Sequence, residues 1–192
     1  MSSWLFAGRY FGFHTKIKWD KDGEYGEIQS ADGKDFYMIS KKQNEQNQVK
    51  VFIHGGHCWI HKEMVPRNRN RINSYKVLIP RSGSPGFGNT IISSPKLSEP
   101  GTCSSNTYMV AIPADYDLSE NEANNLLYYI KTKFVRFLVA TKTSTQSTPP
   151  DAFRFVPLQD FSHPWTDEML YEKYGLDENE IAFIESMIRP ME

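Results

Sequence analysis

The clearest pattern along the chain is helical. Between Ser119 and Thr141, apolar side chains recur at Ala123, Leu126, Leu127, Ile130, Phe134, Phe137 and Leu138. That spacing lines one face of a helix. Ser119, followed three positions later by Glu122, is a capping-box signature. One long helix over about 119–139 is predicted, with Lys131, Lys133 and Arg136 on its other face. Upstream the apolar positions fall into short runs. "KDFYMIS", "VKVFIHGG", "SYKVLIPRSG" and "TYMVAIP" are rich in β-branched and aromatic residues and end at Gly, Pro or polar loops, so they read as strands. The Asp-Gly pair in "WDKDGEYGEI" marks a hairpin turn. "FRFVPL" reads as one more short strand. Downstream, "SHPWTDEMLYEKYGL" predicts a helix with Thr166 as N-cap and Gly175 as stop, and "DENEIAFIESMI" a second capped by Asp177. Strands followed by helices predict an α+β fold: a mixed or antiparallel sheet, one long packed helix and a C-terminal pair of short helices. The expected division is an α/β domain over 1–156 with a helical extension, 157–192, packed on it.

Charge adds a segregation that the net value of −1 hides. Between Lys62 and Arg81 stand six basic residues and one acidic residue, Glu63, whereas Asp160–Glu192 holds nine acidic residues against Lys173 and Arg189. A basic middle suits a polyanion, although ordinary solvated faces give the same counts. Two cysteines, Cys58 and Cys103, are too few for a disulfide framework and suit a reducing compartment. No apolar run has signal-peptide or membrane-spanning length. A cytoplasmic protein with no membrane partner is the expectation.

Candidate chemistry is sparse. His54, His57, Cys58 and His61 fall within eight positions of "VFIHGGHCWIHKEM". Adjacent residues of a strand point to opposite faces, and the spacing matches no zinc pattern, so no metal ligand is assigned. Asp20 with Asp32-Gly33-Lys34 has the form of a nuclease metal site but falls in a turn sequence. Nucleophile-elbow, dinucleotide and phosphate-loop motifs are missing. "VPRNRNRINSYKVLIPRSGSPGFGN" interleaves Arg with Asn, then Lys and Arg with Tyr, Ser and Gly. Arg and Asn make bidentate contacts to guanine and adenine edges, and both reach phosphates.

"PRNRNRINSYKVLIPRSGS", "EPGTCSSNTYMVAIP", "NLLYYIKTKFVRFLVATKTSTQ" and "FRFVPLQDFSHPWTDEMLYEKYGLDENEIAFIESMIRPM" follow one another in order. The series resembles the C-terminal target-recognition region of bacterial restriction–modification adenine-specific DNA methyltransferases, including bifunctional type II enzymes. The resemblance covers roughly residues 62–192; "RYFGFHT" at 9–15 looks like a degenerate form of that region's opening, and 16–61 matches nothing in it. The family's catalytic domain binds S-adenosylmethionine and carries an (N/D)-P-P-(Y/F) motif. Here "STPPDAF" puts Thr148 and Asp151 at its outer positions. The resemblance implies a DNA-recognition region with no cofactor and no activity of its own. Its partners would be double-stranded DNA and an upstream methyltransferase domain; S-adenosylmethionine, and magnesium for cleavage, would belong to the parent enzyme. The DNA contacts expected are Arg67, Arg69, Arg71, Lys76, Arg81, Lys133, Arg136, Lys142 and Gln146. The "SGSPGFGN" loop would approach the DNA backbone. Two rival readings are a small metal-dependent nuclease using Asp20, Asp32 and Lys34, and a protein-interaction subunit of a restriction–modification complex.

Overall fold

The structure is a computed structural model that describes residues 4–83, 91–143 and 148–191. Ten strands come first: β1 Trp4–Gly8, β2 Phe13–Trp19, β3 Tyr25–Ser30, β4 Phe36–Ser40, β5 Gln48–Ile53, β6 Gly56–His61, β7 Lys76–Pro80, β8 Lys96–Ser98, β9 Thr102–Ser104 and β10 Tyr108–Pro113. Four α-helices follow among the described residues: α1 Glu120–Lys131, α2 Lys133–Ala140, α3 Asp167–Tyr174 and α4 Glu178–Met187. The fold is α+β.

The strands form two sheets. The four-stranded sheet has the order β1-β10-β7-β8 and is antiparallel throughout. The six-stranded sheet has the order β2-β3-β4-β6-β5-β9 and is antiparallel except where β9 runs parallel to β5. Register explains the layering. Val77, Ile79, Met109 and Ala111 share one face of the small sheet and enter a core with the helices. Leu78 and Val110, one residue out of phase, enter a second core with Phe13, Ile28, Ile39, Val51, Cys58 and Ile60 of the large sheet. The small sheet is therefore the middle of three layers. That is why Val77-Leu78-Ile79 is an unbroken apolar run.

The predicted long helix is two helices. Thr132 leaves helical geometry at φ −59°, ψ 151° and caps α2 by accepting a hydrogen bond from Val135 N–H at 3.3 Å. The Asp167 carboxylate, from the start of α3, accepts the next two donors, Lys133 N–H at 3.0 Å and Phe134 N–H at 2.8 Å. A local cap and a distant carboxylate together satisfy donors that an unbroken helix would have used internally.

"FRFVPL" is not a strand. Residues Pro150–Phe153 make a 3-10 turn that stacks Phe153 on Phe6 at 4.5 Å, and extended pairing does not follow. Thr166 and Asp177 cap their helices, and Gly175 ends α3 at φ +63°. Phe161 and Trp165 are buried in the helical core, and Asn125 of α1 donates to Phe161 O at 2.8 Å. No helix among the described residues is long and apolar enough to cross a membrane.

Candidate nucleic-acid interface

The Arg/Asn run emerges between two anchors. Val65 and Ile72 are fully buried, while Arg67, Asn68, Arg69 and Asn70 are exposed. Four sets of hydrogen bonds fix the segment between them. Arg67 N–H donates to Phe11 O at 3.3 Å, and Asn68 Nδ2 to Tyr10 O at 2.7 Å. Arg71 Nη2 donates to Pro113 O at 2.6 Å and Tyr116 O at 2.9 Å, and its Nη1 pairs with Asp117 at 3.2 Å. Gly101 N–H donates to Ile72 O at 3.1 Å. The fourth set belongs to Lys76, whose buried ammonium meets Ser74 O at 2.8 Å, Ile72 O at 3.2 Å and Arg71 O at 3.5 Å. Gly12, at φ +84°, lets the chain fold this closely: an added Cβ would stand 2.8 Å from Pro66 Cβ and 3.1 Å from Arg67 Cγ.

The expected contact residues separate into three groups. Arg67, Arg69 and Lys142 are exposed, although Arg69 lies 3.9 Å from the Glu63 carboxylate and the Lys142 ammonium 4.6 Å from the Phe155 ring centre. Arg71, Arg81 and Lys133 are partly covered and committed to partners: Arg81 donates to Asn106 Oδ1 at 2.6 Å, and Lys133 is paired with Glu185. Lys76 and Arg136 are corrections. Lys76 is wholly buried and Arg136 is 3% exposed, so neither touches a ligand from outside. Arg136 instead donates its Nε–H to Lys131 O at 3.0 Å, tying up a carbonyl at the end of α1. Gln146 lies outside the described residues, as does most of the "SGSPGFGN" loop.

Beside the run is an open cleft of about 410 Å³. The turn after β1 contributes Gly8, Arg9 and Tyr10, and the facing loop contributes Arg67, Asn68, Asn70 and Arg71. No carboxylate lines it. Arg9 at φ +55° and Asn68 at φ +52° hold left-handed conformations without being glycine. Arg9 is the functional candidate that sequence reasoning missed. The turn around Gly12 was the available signal, but only the fold sets it opposite Arg67.

The other candidate chemistry does not assemble. β6 sends His57 and His61 outward and Cys58 into the core, where burial pushes its thiol up to about 12. His61 is paired with Glu45 at 3.2 Å. Among the described residues, no group of three or more His, Cys, Asp or Glu converges on a point. Asp20 accepts two backbone N–H bonds in the β2–β3 turn, and Asp32 accepts from Ser30 Oγ and Lys34 N–H in the β3–β4 turn. Those turns stand at opposite ends of β3, roughly 17–20 Å apart, too far for one metal ion. The nuclease reading fails on that geometry. Comparison with protein-family models, with curated proteins and with solved structures finds no match for the chain.

Proposed function

We propose that the chain is a DNA-binding target-recognition domain of a restriction–modification adenine-specific DNA methyltransferase, acting in the cytoplasm and leaving catalysis to an upstream domain. One observation carries this reading: Arg67, Arg69 and Asn70 stand exposed on a segment tied down by hydrogen bonds on both sides of it. Planar donors held on a rigid mount lose little conformational freedom on binding, which is what reading base edges requires. S-adenosylmethionine chemistry belongs to the parent enzyme. Resemblance of residues 62–192 to the family's recognition region supports the same reading.

Selection from a random duplex pool at two salt concentrations tests it. A recovered consensus and a steep fall in affinity with salt are expected, because phosphate contacts release counterions. Arg69→Gln should relax one position of the consensus. A pool that returns no enrichment, with an affinity indifferent to salt, would reject the proposal. It would favour the protein-interaction alternative, in which the acidic C-terminal segment docks on a partner subunit.

A further inference from the structure

We infer that the cleft between the β1–β2 turn and the Arg/Asn run seats a phosphate group, clamped by Arg9 and Arg67 above Arg71. The inference deepens the DNA-binding reading and relies on it for the source of the phosphate, a backbone phosphodiester. The cleft brings three guanidinium groups to one surface with no carboxylate in its lining. Asp117 balances Arg71, which leaves the like charges of Arg9 and Arg67, and an anion between those two removes their repulsion.

Arg71 supplies a donor already in place. Its side chain is 12% exposed, with the Tyr10 phenol beside the guanidinium, and its Nε is buried. Three contacts hold it, to Pro113 O, Tyr116 O and Asp117. Those contacts fix the group, so it meets an anion as part of the wall.

The backbone points the same way. Left-handed geometry at a residue with a side chain is strained, and such strain persists where the surroundings hold it. Here it occurs once on each wall, at Arg9 and Asn68. The Asn68–Tyr10 hydrogen bond, at 2.7 Å, locks the two walls together. A planar guanidinium from each side matches the geometry of a phosphate's oxygens, which a single lysine would not.

Two measurements on the full chain test this. Inorganic phosphate is titrated while the arginine Nε–H resonances are followed, and duplex affinity is measured across a salt series. Arg9→Gln, Arg67→Gln and Arg9→Lys are compared with Arg154→Gln, an exposed arginine outside the cleft. Phosphate should shift the Arg71 Nε–H signal in the unaltered chain. Arg9→Gln and Arg67→Gln should each weaken duplex binding about 10-fold near 0.1 M salt and lower the salt slope by about one. Arg9→Lys should restore the slope but not the full affinity, and Arg154→Gln should change neither. If phosphate and a mononucleotide bind but duplex does not, the seat stands for a free phosphate ester and the DNA reading fails. If duplex binds equally to the chain and to Arg9→Gln, and phosphate leaves the arginine signals unmoved, the seat is overturned and the DNA reading survives.

Discussion

Lys76 and Arg69 carry the same charge in the same basic segment, and the fold treats them in opposite ways. Arg69 is left in solvent, while Lys76 is drawn inside to bind three backbone oxygens just beyond the arginine run. Among the described residues no carboxylate pairs with its ammonium, and burial, only partly offset by the charge of Asp117, pulls its pKa down to about 8. A lysine whose folded pKa is depressed penalises folding while charged in the native state. The penalty is full below about pH 8 and fades as pH rises from there toward the unfolded lysine value. The stability of the chain relative to Lys76→Met should therefore climb between pH 8 and 10, by about 2–3 kcal/mol, in urea titrations. A difference flat across that window would show that the ammonium is not desolvated. Sequence could not separate the two residues. The segregation of charge around 62–81 was legible, but Lys76 opens a strand whose two faces are both covered, and nothing near it in sequence says so.

At the scale of elements, the helical stripe was legible and the break inside it was not. Apolar positions continue through residue 132 in nearly unbroken register, so periodicity alone favours one helix. The break depends on Asp167, which lies 34 positions beyond Lys133 and meets it only in the folded chain. Replacing Thr132 or Asp167 by Ala should each destabilise by about 1–2 kcal/mol, read from urea midpoints. Because both satisfy the same helix end, the double variant should cost less than the sum of the two. Strict additivity would mean the two caps act independently. "FRFVPL" failed as a strand for a related reason: Phe153 is claimed by the helical core, against Phe6. The caps at Thr166, Gly175 and Asp177 were readable because their chemistry is local.

For the molecule as a whole, the middle sheet belongs to both cores. Leu78 and Val110 face one, and Val77, Ile79, Met109 and Ala111 face the other. Neither core can be lost without stripping a face of that sheet, so urea unfolding should be a single transition by fluorescence and by far-UV circular dichroism. Two separated midpoints would contradict the shared layer. Removing residues 157–191 should abolish that transition, since Phe161, Trp165, Leu170 and Ile184 are buried in the helical core. The α+β class followed from the order of elements. The division into two sheets did not, because pairings such as β9 with β5 join segments about 50 residues apart.

The placement of Val65 and Ile72 on either side of the exposed run has a consequence over evolutionary time. Those two residues hold the ends of the segment, and the side chains at 67, 69 and 70 add little to the packed interior. Substitutions on such a surface change stability by roughly half a kilocalorie per mole or less. On the DNA-binding proposal, a lineage can therefore rewrite the letters that meet a ligand while leaving untouched those that specify the fold, and move among targets without passing through unfolded ancestors.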